Sequence, residues 1–162
     1  SETIKGVIMI DSPIRPPDFD YSNHQGSGPI RKRKTYPDKE TILERFKLAP
    51  NQPTDFPFVI DYIAKKSIQE ANGGYEWKFD DTLFSKLGYP HMPKNHAFNL
   101  MCPLGFIYGE KSALITEPIL NYMKSRFKED TPIIEIEGAH HHVLLDKPIE
   151  LAETIKEIGR DW

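Results

Sequence analysis

The sequence predicts an α/β protein in which parallel strands alternate with helical crossovers, interrupted by a long and mostly helical insertion. Three short apolar runs have the composition of strands buried in a parallel sheet: residues 6–11, 103–108 and 132–137. A helix is predicted after the second run and another after the third. Because strands and helices that alternate in this way form parallel sheets, we expect the three strands to be neighbours.

The first strand ends at a carboxylate, Asp11, and is followed by a proline-rich segment. Residues from about 18 to 37 are rich in Gly, Ser, Asn and Pro, which is typical of a long loop. These features predict that the sheet is interrupted after its first strand.

The insertion is predicted to consist mainly of helices. One helix should begin after Asp38, and a second should continue to about Ala71 with Phe58 and Tyr62 facing inward. Further along, Tyr75, Trp77 and Phe79 recur at every second position. Aromatic residues at this density usually belong to a core, but Trp77 and Phe79 are also candidates for contact with a ligand, since such side chains line pockets.

Prolines mark the first turns of the two helices that follow the insertion. Pro118 lies in the first turn of the helix after the second strand, and Pro148 opens the last helix. Apolar residues at three-residue spacing predict one buried face on the last helix, formed by Ile149, Ala152, Ile155 and Ile158.

Charge and composition argue against several classes of partner. The chain has 162 residues, a net charge of −3 and a pI near 6.1, so it has no general attraction to nucleic acid or to anionic lipid. The basic run RKRK at residues 31–34 could be a targeting or nucleic-acid patch, although a solvated loop explains it better. No apolar run is long enough to span a bilayer. We expect neither nucleic acid nor a membrane as partner.

Cysteine usage favours a reducing compartment. Cys102 is the single cysteine, so the chain cannot form an internal disulfide, which fits a cytoplasmic location. The spacing of His91 and His96 does not suggest a metal site. We therefore predict neither a metal nor another cofactor.

Three consecutive histidines follow the third strand. His140, His141 and His142 precede Asp146 and the helix that begins at Pro148. Side chains that follow buried parallel strands lie at the crevice formed by the carboxyl ends of a sheet, where reactive groups are commonly exposed. From the residues alone, a surface histidine cluster or adventitious metal binding remains an alternative to a catalytic site.

Three stretches of the sequence resemble the C-terminal half of the α/β-hydrolases. GVIMIDSP, PLGFIYGEKSALIT and GAHHHVLLDKP are similar to the sixth, seventh and eighth strands of that fold with the turns that follow them. The resemblance implies a core formed by residues 1–17 and 96–162 and a helical cap formed by residues 18–95. It also implies a catalytic histidine just after the eighth strand, and counting back from Asp146 assigns His141 to this role.

The acid of the implied catalytic triad has two candidates. The commonest position in the family, three residues after the glycine that ends the seventh strand, is occupied here by Ser112, which cannot stabilise imidazolium by charge. Some branches of the superfamily take the acid from the end of the sixth strand, where Asp11 stands. Glu110 is the second candidate.

The nucleophile that the resemblance to α/β-hydrolases implies is not found in this sequence. A Gly-x-Ser-x-Gly elbow or its variant should precede the first strand, so we expect roughly 100 to 130 further residues upstream, which form the N-terminal half of the same fold. A serine nucleophile would imply an esterase-like serine hydrolase, and an aspartate would imply dehalogenase- or epoxide-hydrolase-like chemistry. The expected substrate is a small, largely apolar acyl or alkyl compound.

Residues 1–162 alone are expected to be inactive, because they lack this nucleophile. The alternative from a different class of function is a non-catalytic binding module, or an inactive piece of the fold.

Overall fold

The computed structural model describes residues 4–20, 33–86 and 96–162. The chain divides into two compact units, which we call the sheet unit and the inserted unit. The sheet unit comprises Ser1–Phe19 and Pro93–Trp162, and the inserted unit comprises Asp20–Met92.

The secondary-structure elements are numbered here in chain order. The strands are β1 (Val7–Ile10), β2 (Ile68–Ala71), β3 (Gly74–Trp77), β4 (Leu104–Gly109) and β5 (Ile133–Ile136). The α-helices are α1 (Lys39–Leu43), α2 (Pro57–Lys66), α3 (Leu83–Lys86), α4 (Glu117–Arg126), α5 (Val143–Asp146) and α6 (Pro148–Ile158).

The sheet unit is built on three parallel strands in the order β1-β4-β5. In the first pair Ile10 lies opposite Ile107, and in the second pair Gly109 lies opposite Ile136. The prediction of three neighbouring parallel strands is confirmed. Because the strands run in the same direction, their carboxyl ends meet at one edge of the sheet, where the residues that follow each strand come together.

Helices and loops cover both faces of this sheet. Side chains alternate along β4, so Phe106 and Tyr108 lie on one face and Ile107 lies on the other. On the first face the buried partners come from α4 and the residues before it: Ile115, Ile119 and Met123. On the second face they come mainly from α5, α6 and β5: Ile136, Val143, Leu151 and Ile158. Cover on both faces explains why the strands are mostly apolar, with Glu135 of β5 as an exposed exception.

The last helix begins at Pro148 as predicted, but of the four residues predicted for its buried face only Ile155 and Ile158 pack in the core. Ile149 is 67% exposed and Ala152 is also exposed, whereas Leu151 and Ile158 are buried with Ile155 packed against them. The buried positions are spaced by four and then three residues. This spacing follows the 3.6-residue period of an α-helix, from which a strict three-residue count drifts away.

The inserted unit contains an antiparallel hairpin whose first strand was predicted as the end of a helix. Helix α2 ends at Lys66 rather than near Ala71, and strands β2 and β3 follow it. The turn between them is Asn72-Gly73, with φ +87° at Gly73. An Asn-Gly pair is a strong hairpin signal, because glycine adopts positive φ without steric cost.

The inward face predicted for α2 was also wrong. Phe58 is 68% exposed and Tyr62 is 62% exposed, and the buried residue on this helix is Ala64. The role of the inserted unit as a cap stays a prediction. None of the helices in the described ranges is long and apolar enough to cross a membrane.

Candidate active site

Asp11 lies directly after β1 at the carboxyl edge of the sheet, and its side chain is buried. Its backbone N–H donates a hydrogen bond to the carbonyl oxygen of Ile107 at 2.8 Å, so the residue remains attached to β4. Its φ is +45°, a left-handed value that few non-glycine residues adopt, although aspartate adopts it more often than most. This backbone conformation places a fully buried carboxylate, 0% exposed, beyond the end of the strand.

Three donors surround the carboxylate of Asp11. The backbone N–H of Gly109 donates to Oδ2 at 2.8 Å, and the hydroxyl of Ser112 donates to Oδ1 at 2.6 Å. The third partner is Nδ1 of His141, at 2.9 Å from Oδ1. A buried carboxylate is costly unless it is hydrogen-bonded or paired, and these contacts satisfy both oxygens.

The contact with Asp11 fixes the role of each ring nitrogen of His141. An ionised carboxylate can only accept hydrogen bonds, so the proton of a neutral imidazole lies on Nδ1. Nε2 then has a free lone pair and can accept a proton from another group. The side chain of His141 is 23% exposed, against 1% for Asp11, so the imidazole lies between the buried carboxylate and the surface of the sheet unit.

Asp146 holds the turn that carries the histidines. Its Oδ2 accepts a hydrogen bond from the backbone N–H of His140 at 2.7 Å and lies 3.0 Å from Nδ1 of the same residue. Asp146 is itself buried, with 7% of its surface exposed. The ring of His140 is therefore directed at Asp146, while the ring of the next residue, His141, is directed at Asp11.

The histidine turn is also fixed to the end of β4. The backbone N–H of Lys111 donates to the carbonyl of Ala139 at 2.8 Å. The carboxylate of Glu110 accepts from the backbone N–H of Gly138 at 2.7 Å. Glu110, the second candidate for the acid, thus contacts the backbone of the turn, whereas Asp11 contacts the imidazole of His141.

Ser112 has two roles around this site. Its hydroxyl donates to Asp11 and accepts from the backbone N–H groups of Leu114 and Ile115, each at 3.1 Å. The residue at the family's usual acid position therefore supports a carboxylate that comes from a different strand. Sequence spacing identified this position but gave no sign of its contact with Asp11.

The two aromatic candidates lie in the inserted unit. Trp77 ends β3 and is partly buried, with its ring 5.8 Å from that of Phe46. Phe79 is 48% exposed. Both line a cavity within the inserted unit. Their contact with a substrate stays a prediction.

No group of three or more His, Cys, Asp or Glu side chains is arranged to hold a metal ion in the described parts of the chain. His91 lies outside the described residues. Among the described histidines, those that lie close together are in the turn after β5, where the ring centroids of His141 and His142 are 4.7 Å apart.

Comparison with solved structures identifies the fold. The chain aligns with a thioesterase domain from the curacin biosynthetic pathway at a TM-score of 0.66 and 20% identity, covering 94% of this chain and 57% of that one. It aligns with E-2-(acetamidomethylene)succinate hydrolase at a TM-score of 0.68 and 18% identity, covering 96% and 57%. It also aligns with an α/β-hydrolase from Novosphingobium aromaticivorans at a TM-score of 0.52 and 16% identity, covering 80% and 48%. The chain has a partial α/β-hydrolase fold.

The resemblance to α/β-hydrolases seen in the sequence is thus confirmed at the level of the fold. No protein-family model and no curated protein sequence matches the chain. The chain spans 57% of the length of the first two structures named above.

Gly109 is expected to be essential for the docking of the histidine turn. A Cβ at this position would lie 2.5 Å from the carbonyl oxygen of Ala139 and 2.6 Å from that of His140, closer than real Cβ atoms approach other atoms. Gly109→Ala should therefore move the turn away from β4 and lower the free energy of unfolding by about 1–3 kcal/mol, the usual cost of overpacking. Chemical denaturation measures this loss.

Gly159→Ala is the matched control, because a Cβ there would have no atom within 4 Å. Equal stabilities of the two variants would show that the turn does not depend on close approach to β4.

Proposed function

We propose that this chain belongs to a hydrolase that cleaves a small ester-like substrate, with His141 as general base and Asp11 as the acid of a catalytic triad. The observation that carries the proposal is the 2.9 Å contact between Nδ1 of His141 and Oδ1 of the buried Asp11. It gives the imidazole a fixed orientation and leaves Nε2 as the nitrogen that accepts a proton. This is the arrangement that activates a hydroxyl nucleophile.

The chemistry would proceed in two stages. Nε2 of His141 removes the proton from a nucleophile as the nucleophile attacks the substrate carbonyl, and the resulting imidazolium then gives that proton to the leaving group. The carboxylate of Asp11 stabilises the imidazolium and keeps the ring in the required tautomer. Water repeats the sequence to release the acyl group, which returns the enzyme to its starting state.

The nucleophile would be supplied by the N-terminal half of the same fold. Residues 1–162 contain no Gly-x-Ser-x-Gly sequence. Within the described residues, β1 pairs with β4 along one edge only, so its other edge can accept a further strand. A segment that adds a parallel strand at this edge would place its own carboxyl end beside Asp11, where a nucleophile is needed.

A carbonyl substrate is favoured over a halide or an epoxide. One of the structures that share the fold is described as a thioesterase domain, a name that denotes cleavage of a thioester at its carbonyl carbon. A serine would then be the nucleophile. An aspartate nucleophile, which would imply displacement of a halide or opening of an epoxide, is the alternative within the same fold. Trp77 and Phe79 are proposed to contact a small, largely apolar substrate.

No cofactor is part of the proposed mechanism, because the proton transfers and the nucleophilic attack are all carried out by side chains. A cytoplasmic location remains a prediction from cysteine usage.

Separate substitutions of the three histidines test which of them is the base. In the full-length protein, His141→Ala should lower kcat for a short-chain aryl ester by about 10⁴-fold or more, as loss of a triad base does. His140→Ala removes a side chain that faces Asp146 instead, so it should reduce kcat far less. Steady-state hydrolysis assays measure both values, and His142→Ala serves as a second comparison. A larger loss in His140→Ala or His142→Ala would show that a different histidine is the base.

Matched substitutions test the assignment of the acid. Asp11→Asn keeps the size of the side chain but removes its charge, so it should lower kcat by about 10³- to 10⁴-fold with the fold retained. Glu110→Gln makes the same chemical change at the carboxylate that contacts Gly138, and it should leave kcat within a few fold. The assays are accompanied by circular dichroism to verify folding. A nearly unchanged Asp11→Asn together with an impaired Glu110→Gln would assign the acid to the end of β4.

A further inference from the structure

The inserted unit contains a concave surface whose cationic lining the proposed hydrolysis does not explain. This cavity has a volume of about 1110 Å³, slightly above the usual range for small-molecule sites. It is bordered by two residues of the basic run noted in the sequence and by basic residues from three other places. The cationic lining consists of Arg33, Lys34, Arg45, Lys47, Lys66 and Lys78.

The charge of this lining is opposite to that of the whole chain. Its six cationic residues face only two acidic ones, Glu44 and Asp81, whereas the chain has a net charge of −3. Like charges gathered around a concave surface raise the local potential and attract ligands of the opposite sign. The lining therefore favours an anion.

Four of the six cations already have contacts, and two do not. The ammonium groups of Lys34 and Lys66 lie over the rings of Tyr36 and Tyr62. Nε of Arg33 lies 3.9 Å from the carboxylate of Glu76, and the ammonium of Lys78 donates to the carbonyl of Lys66 at 2.8 Å. The guanidinium of Arg45 and the ammonium of Lys47 have no hydrogen-bond or ion-pair partner among the described residues. These two groups can bind an anion without losing an existing contact.

Aromatic rings line the same cavity, and one of them is firmly positioned. Trp77 lies on the β2–β3 hairpin, which continues past it through a 2.8 Å hydrogen bond from the N–H of Lys78 to the carbonyl of Ser67. Its ring packs against Phe46, which also belongs to the lining. Aromatic side chains in a basic groove stack on nucleobases while the cations bind phosphate.

Cations and aromatic rings together select a ligand that has both phosphate groups and a flat ring. Phosphate prefers cationic side chains, and a base contributes stacking energy on Trp77 that a simple anion cannot. A long nucleic acid would meet repulsion from the acidic remainder of the chain, whereas a small nucleotide fits the cavity.

We propose that the inserted unit binds a nucleoside diphosphate group, with the phosphates at Arg45 and Lys47 and the base at Trp77. The group could come from a free nucleotide or from the nucleotide end of a coenzyme that carries an acyl thioester. The site goes beyond the proposed hydrolysis, which shares Trp77 with it. Its phosphate-binding residues, Arg45 and Lys47, have no part in that hydrolysis.

Calorimetric titration of the full-length protein tests the site with ADP, adenosine and coenzyme A as probes. ADP should bind, and adenosine should bind at least tenfold more weakly because it lacks the phosphates. The double substitution Arg45→Gln/Lys47→Gln should weaken ADP binding at least tenfold, and raised salt should weaken it in the wild type. Arg45 and Lys47 are both exposed, so their replacement should leave the melting temperature unchanged.

A charge-matched control separates a specific site from general attraction. Lys65→Gln/Lys124→Gln removes the same charge from exposed residues outside the cavity and should not change ADP binding. His141→Ala should also bind ADP normally, so failure of the hydrolysis proposal would not affect this result. Tighter binding of coenzyme A than of ADP would identify the coenzyme as the source, and equal or weaker binding would identify the free nucleotide.

Two results would overturn the proposal. The first is the absence of ADP and coenzyme A binding, or binding that the cavity and control variants weaken equally. The second is binding of a single-stranded oligonucleotide that is tighter than that of both probes and is lost in Arg45→Gln/Lys47→Gln, since this would assign the cavity to nucleic acid.

Discussion

The buried carboxylate of Asp11 is the constraint on which the rest of the sheet unit depends. An unpaired carboxylate in the protein interior costs several kcal/mol, so its partners must be held in place as firmly as the charge itself. Those partners are the N–H of Gly109, the hydroxyl of Ser112 and the imidazole of His141, which come from the ends of two other strands. One buried charge therefore joins the carboxyl ends of all three parallel strands, and the contacts that satisfy it also orient the imidazole.

Four polar side chains near this edge have different tasks, which their contacts distinguish. Asp146 binds the backbone and ring of His140, Glu110 binds the backbone of the turn, and Ser112 donates to Asp11. Of the three carboxylates, Asp11 is the one whose oxygen contacts the imidazole of His141. A serine at the usual acid position of the α/β-hydrolases is compatible with a triad for this reason, because its hydroxyl supports a carboxylate from the end of β1.

The sequence predicted the sheet because buried parallel strands are short apolar runs whose signal is local. It also gave His141 as the candidate base, because the histidine and Asp146 belong to one short motif and their separation can be counted in the sequence. It did not reveal that Ser112 and His141 meet at Asp11, because these contacts join residues 101 and 130 positions apart in the sequence. The hairpin that begins at Ile68 was missed for a different reason, since the predicted helix was extended to Ala71 and the Asn-Gly pair that follows it was not recognised as a hairpin turn.

The central claim, that the imidazole of His141 donates a hydrogen bond to a buried carboxylate, is tested most directly by proton NMR of the full-length protein. We expect a far-downfield Nδ1–H resonance that disappears in His141→Ala and moves upfield or disappears in Asp11→Asn, with no change in Glu110→Gln. His140 also contacts a carboxylate, so the His141→Ala spectrum is needed to assign the signal. A resonance of His141 that is unchanged in folded Asp11→Asn would contradict the account.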